Sequence, residues 1–372
     1  MKIIKYSIQE LNQDYIQDNL YEIFLRLPAT SLLRFQCVCK YWSSVISDSA
    51  FRIEHSRFKK SLYPNPNAIL LQDFSSHAFQ LIPIKDNKKV PFFTYLGVSE
   101  IKIESSCNGL LLLSSSSIQK YFVCNPTTKE FKVLAPFPSN IVPYAACSLA
   151  YDPSISPNYK VIFIHQDNVP FVIAVYSSER GSWITLKTAP PLTLSYKGEV
   201  FCNGAMHWYC YHKTTCYLDV HNEILSFMPM PPPYSSTDAT AVFPDVVYFG
   251  ESRGNLTMAL AKDFSPAKFD VFQMQCDRSR WCLTYTVNLD SVKSEFPSIF
   301  WLYAKYSLLS IIESEEEEDK TLIMCMNGGA VSVSIHGDRM KRICELQSRT
   351  VKEGWDYRYH ESRKYFESLA CP

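Results

Sequence analysis

The spacing of apolar residues changes once along this chain, near residue 61, and that change excludes a fold of one structural class. Before it, Leu20, Ile23, Phe24 and Leu27 recur at i, i+3, i+4 and i+7, one stripe of a helix. Asp18 is placed to cap that helix and Pro28 to stop it. Ser31 is placed to cap a second run, in which Leu32, Leu33 and Phe35 lead into Val38, Trp42 and Val45 on one face, with Cys39 and Ile46 beside them. Asp48-Ser49 breaks that run, and Phe51 begins a last short element. Three short helices in about 40 residues lie at the lower limit of independent folding.

After Ser61 the helical period disappears. Tyr63-Pro64-Asn65-Pro66-Asn67 reads as a linker with a restricted hinge. Beyond it, short β-type runs such as Ile69–Leu71, Gly109–Leu113, Tyr121–Val123, Val161–Ile164, Val172–Tyr176, Val246–Phe249 and Leu283–Val287 are divided by Pro, Asn, Asp and Ser. The expected architecture is an α+β multidomain chain: a small helical unit at residues 15–58, a linker at 59–66, and an all-β unit at 67–372. The β unit repeats loosely. Asn108-Gly109 and Asn203-Gly204 each follow a cysteine, and aromatic or aliphatic runs ahead of prolines return at intervals of about 40–50 residues, the pitch of propeller blades. That pitch predicts a propeller of about six degenerate blades. A large sandwich fits the same spacing of strands.

Charge narrows the partners. Lys plus Arg and Asp plus Glu are both 37, so no net field draws nucleic acid or an acidic membrane surface. Residues 1–15 lack the apolar core of a secretory signal, and Ile299–Ile312 is too short to span a bilayer and carries Lys305. Thirteen cysteines without a C-x-x-C pair then read as reduced thiols in the cytoplasm, the nucleus or both, and the Asn255-Leu256-Thr257 sequon as unmodified. The run Glu315–Asp319 reads as a solvated loop between strands.

No arrangement of residues demands a cofactor or a metal. Cys202, His207, Cys210, His212, Cys216 and His221 crowd together, but strand alternation turns His207 away from Cys210 and His212. There is no G-x-S-x-G elbow, phosphate loop or H-E-x-x-H helix, so an enzyme is the weaker class. Trp208, Tyr209 and Tyr211, and Trp355, Tyr357 and Tyr359, alternate as strand residues do, which places at least half of them between blades. Sequence gives two readings of the helical stripe. It packs on the unit's own core or on the β unit, or it is covered by a partner helix.

The helical start resembles an F-box. The matching pieces are Asp18 to Pro28, Ser31-Leu32-Leu33-Arg34-Phe35, Val38-Cys39-Lys40-Tyr41-Trp42 and Ile46-Ser47-Asp48. It departs at the start, where Tyr15-Ile16 and Asn19 replace the usual Leu-Pro and leucine. The remainder resembles the F-box-associated β domain of plant F-box proteins, a kelch-like propeller type. That likeness rests on Ser106-Cys107-Asn108-Gly109-Leu110-Leu111, Asn125-Pro126-Thr127-Thr128-Lys129, Asn203 to Trp208 and Tyr365-Phe366-Glu367-Ser368-Leu369. The resemblance implies a non-catalytic substrate-recognition subunit of an SCF-type ubiquitin ligase. Its F-box would dock on a Skp-type adaptor, and through it on a cullin, while the β domain holds a protein substrate. It implies adaptor contacts at Leu20, Ile23, Leu27, Pro28, Leu32, Val38, Cys39 and Trp42, with Phe35, Val45 and Ile46 assigned to the core. The alternative is a propeller-type protein-binding module acting outside any ligase.

Overall fold

The computed structural model describes residues 19–73, 79–84, 93–136, 146–166, 171–186, 194–210, 214–232, 245–262, 265–295, 306–313, 320–326, 329–346 and 360–372. Helix α1 covers residues 19–26, so the proposed Asp18 cap lies outside the described residues. Pro28 ends it and at once starts α2 (Ala29–Phe35), because its fixed φ holds the extended geometry that precedes a helix. Ser31 is therefore inside α2 and does not cap it. The expected second run is two helices: α2 closes at Gln36, and α3 (Lys40–Ser47) starts afresh from an extended Cys39 whose Sγ accepts the Trp42 N–H at 3.4 Å. Asp48 closes α3 and caps α4 (Ser49–Leu62), its Oδ1 accepting the Phe51 N–H at 3.0 Å. This last element is 14 residues long rather than short, and it continues into the stretch expected to be linker.

The rest is strand. In chain order these are β1 (Ala68–Asp73), β2 (Phe79–Pro83), β3 (Ile101–Cys107), β4 (Leu110–Ser115), β5 (Lys120–Asn125), β6 (Glu130–Val133), β7 (Ala146–Ala150), β8 (Lys160–Gln166), β9 (Phe171–Ser177) and β10 (Ser182–Thr185). They continue with β11 (Leu194–Cys202), β12 (Ala205–Cys210), β13 (Thr214–Asp219), β14 (Ile224–Pro229), β15 (Val246–Ser252), β16 (Asn255–Lys262), β17 (Ser265–Met274) and β18 (Trp281–Asn288). The last are β19 (Tyr306–Glu313), β20 (Lys320–Met326), β21 (Gly329–Ser334), β22 (Met340–Glu345) and β23 (His360–Tyr365). Five four-stranded antiparallel meanders, β3–β6 to β19–β22, stand round an axis with one three-stranded sheet, β2-β1-β23. The propeller has six blades.

The ring is closed by the two ends of the β unit. Strand β23 pairs antiparallel with β1, Ala68 opposite Tyr365 and Asp73 opposite His360, so it supplies the innermost strand of a blade begun at residue 68. One apolar cluster fills each junction between consecutive blades, from Leu112 with Leu149 and Val161 round to Ile69 with Ile323. Trp208 is fully buried in one of them. The side chains of β23 also cross the axis: Arg363 lies 3.5 Å from Glu199 on β11, the opposite blade, and Lys364 lies 3.3 Å from Glu251 on β15. Burial disfavours the charge on Lys364, yet Tyr248 and Glu251 outweigh it and hold its pKa up at about 12.

In an antiparallel meander the first and third turns share one end of the blade. The repeated Asn-Gly motif makes the first turn: Asn108 and Gly109 have φ of 45° and 92°, Asn203 and Gly204 48° and 73°. The Asn125–Lys129 motif forms the third turn of its blade, at the same end. The helical unit sits on this end. Lys60 pairs with Asp152 at 2.6 Å, Arg57 donates to the Pro153 carbonyl, and Arg52 grips Glu130 beside the Asn125 turn. The acidic run Glu315–Asp319 and the aromatics Tyr211, Trp355, Tyr357 and Tyr359 lie outside the described residues.

Candidate functional site

The helices divide their apolar residues between a closed core and the surface. Phe24, Leu25, Ala29, Leu32, Ile46 and Phe51 form the inner core, with Phe35, Trp42 and Val45 packed against it. Phe24 is the hub. Its ring meets Trp42 edge-on at 5.2 Å and lies 6.4 Å from Phe51. At the surface Ile23 is 54% exposed, Val38 61% and Tyr41 41%, and Pro28 and Cys39 are exposed as well. Leu20, Leu27 and Trp42 are half-buried between the two.

Seven of the eight expected contact residues thus reach the surface wholly or in part, and one does not. Leu32 is fully buried. The expectation extended the stripe of α1 into one long second helix. The break at Gln36–Cys39 re-aims the chain, so Leu32 turns into the core while Val38, in the turn, points out. Ile46 is core as expected, and Phe35 and Val45 pack on its edge.

The inner side is completed from the far end of the chain. Leu369 is 1% exposed and belongs to the helical cluster. Its carbonyl accepts from Arg52 Nε at 2.8 Å. Helix α2 has no side-chain cap at Pro28, and the Glu367 carboxylate takes that place, accepting from the Thr30 N–H at 2.7 Å and its hydroxyl at 2.9 Å. Asn125 fixes the same segment from the propeller, donating to Ser368 O at 2.9 Å and Ala370 O at 2.8 Å. The Thr127 hydroxyl bonds the Tyr365 hydroxyl at 2.8 Å, and the Asn67 carboxamide oxygen accepts the Glu367 N–H at 2.8 Å. Gly109 admits this segment: a Cβ there would lie 2.3 Å from the Ser368 Cβ. A cavity of about 230 Å³ remains where α4, the second blade and residues 370–372 meet, lined by Arg52, Lys132, Tyr151 and Tyr159 among others.

The titratable groups in the interior serve structure. Cys107 and Cys202 are pushed up to about 12 by burial, and each thiol donates to a backbone carbonyl, of Tyr151 and Gly254. Such thiols are poor nucleophiles. His207 is lowered to about 4, first by burial and then by the Arg278 charge; its Nδ1 bonds Val200 O and its Nε2 accepts from Arg278 Nε at 3.4 Å. Cys216 is buried between blades and His221 lies in a turn, while the Cys210 side chain and His212 lie outside the described residues. Among the described residues no group of three His, Cys, Asp or Glu is placed to hold a metal ion, and no helix is long and apolar enough to cross a membrane.

The F-box associated beta propeller domain matches residues 71–371. The chain belongs to that family. The F-box domain matches residues 17–54, the helical unit, and this plant F-box protein has relatives of the same build. F-box protein At5g07610 of Arabidopsis thaliana is 27% identical over 95% of this chain and 92% of its own length. F-box protein At5g49610 of the same plant is 24% identical over 76% of this chain and 81% of its own. Among solved structures, TolB from Acinetobacter baumannii aligns with 85% of this F-box protein and 71% of its own chain, at 11% identity and a TM-score of 0.44. F-box domains generally bind Skp adaptors, and proteins of this family are typically non-catalytic adaptors themselves.

The sequence named the pieces around residues 106–111, 125–129 and 365–369 but not that they converge. Arg52, Glu367 and Leu369 carry no local signal of their role, because each acts on a residue dozens to hundreds of positions away.

Proposed function

We propose that this chain is the substrate-recognition subunit of an SCF-type ubiquitin ligase. The observation that carries the reading is the outer ridge of the helical unit, Ile23, Pro28, Val38 and Cys39, exposed while the opposite side is fixed to the propeller. Large aliphatic side chains held on a rigid ridge suit the groove or helix of a partner. A Skp-type adaptor covers the ridge, with Leu20, Leu27 and Trp42 at its margin, and links the chain to a cullin. Leu32 supports this surface from below.

The propeller holds the protein substrate. The chain works as a tether in the cytoplasm or nucleus. It contributes no nucleophile and raises the effective concentration of a substrate lysine near a loaded conjugating enzyme. The test is reconstitution. Full-length chain mixed with a plant Skp adaptor is expected to co-elute as a one-to-one complex in size-exclusion chromatography, and a cullin to join only when the adaptor is present. Separate elution of chain and adaptor overturns the reading.

A further inference from the structure

We infer that residues Phe366 to Pro372 couple closure of the propeller ring to the order of the adaptor-facing helices, with Leu369 as the positioning residue. The inference deepens the proposed function and rests on it only where the adaptor enters.

The segment has two sides. On one, Asn125 and Thr127 of the first full blade and Asn67 just ahead of β1 hold its backbone through Ser368, Ala370 and Glu367. On the other, Leu369 enters the helical core and Glu367 caps α2. Immediately before it runs β23, the strand that closes the ring and sends Arg363 and Lys364 across the axis. Seven residues thus join ring closure to the packing beneath the ridge. Were β23 to leave its place beside β1, Leu369 and Glu367 would have to leave with it. The helices would then keep a core opened by the loss of Leu369 and a first turn of α2 whose Thr30 N–H has lost its acceptor.

Linkage makes the effect reciprocal: whatever stabilises the ordered helices stabilises ring closure by the same factor. An adaptor seated on the ridge therefore tightens β23 against β1. A cargo that tightens the ring raises the affinity for the adaptor. A chain whose last strand is not yet in place presents a disordered ridge.

Hydrogen exchange on the full-length protein tests this in two arms. The first needs no adaptor. Asn125→Ala, on the propeller and removing side-chain hydrogen bonds to the terminal segment and to its own turn, is expected to speed exchange in residues 24–35 about tenfold while β8 and β9 keep wild-type rates. Unchanged rates in those helices overturn the inference, whatever the fate of the proposed function. The second arm adds a Skp adaptor. Exchange in β1 and β23 is expected to slow in the wild type, and Leu369→Ala to lose that slowing while keeping the wild-type far-UV circular dichroism spectrum and a cooperative urea transition. A purely structural Leu369 would change the basal rates but leave the adaptor-dependent slowing intact, and that result, or no slowing in the wild type with the adaptor bound, overturns the coupling. Failure of any adaptor to bind sinks the proposed function and leaves the first arm to decide the coupling.

Discussion

Lowering the pH from 7 to 4 forces a proton onto His55, a fully buried side chain of α4. Its ring lies 6.0 Å from that of Phe51, its Nε2 bonds the Leu27 carbonyl at 2.9 Å, and its Nδ1 has no partner. Burial first, against the opposing pull of the Leu27 carbonyl and Glu367 and with help from Lys59, lowers the pKa to about 4. The unfolded chain takes up the same proton near 6.5. Between these values the unfolded state binds more protons, so stability that is complete above 6.5 is lost as the pH falls toward 4. The two pKa values give a loss of about 2 kcal/mol at pH 5 and about 3 kcal/mol at pH 4 from this residue. The assay is urea unfolding of the wild type and of His55→Gln, compared at each pH. The pH slope rather than the absolute stability decides, since His207 and the carboxylates are common to both and cancel. The wild type is expected to lose its advantage over the variant by those amounts. Parallel curves from pH 6.5 to 4 would refute the reasoning. Because His55 bonds the backbone of Leu27, adaptor binding is expected to weaken over the same range.

Two further predictions concern packing. Leu32→Ala should cost about 2–5 kcal/mol in urea unfolding, as for any large side chain removed from a closed core, and a cost under about 1 kcal/mol would return Leu32 to the surface. Gly109→Ala should be destabilising although the residue sits in a turn, because φ is 92° and the new Cβ meets Ser368; a neutral effect in the same assay would contradict the close approach of the terminal segment.

What could be read from sequence was the local part. Period alone separated helices from strands at residue 61, because amphipathic spacing is a property of neighbours. The blade number followed from the pitch of Phe79, Phe131, Trp183 and Ile224, which fall in β2, β6, β10 and β14, the outer strands of four successive blades. Two local readings failed for physical reasons. Ser31 lost the cap position because Pro28 had already set the backbone for a helix, and Leu32 lost its place on the surface because a turn at Gln36–Cys39 divided one expected helix into two. The docking of the helices on the propeller was not legible at all. It depends on Glu367 meeting Thr30, Leu369 entering the helical core and Arg52 meeting Glu130, pairings between residues far apart in the chain rather than any local pattern.

The central claim, that the exposed ridge of the helical unit seats a Skp-type adaptor, is tested most directly by titrating that adaptor against the wild type and the double variant Ile23→Asp, Val38→Asp. Both side chains are more than half exposed, so their replacement should leave the unfolding free energy in urea within about 0.5 kcal/mol of the wild type. The account predicts affinity reduced by at least tenfold, about 1.4 kcal/mol, at unchanged stability. Equal affinity in the two proteins would contradict it.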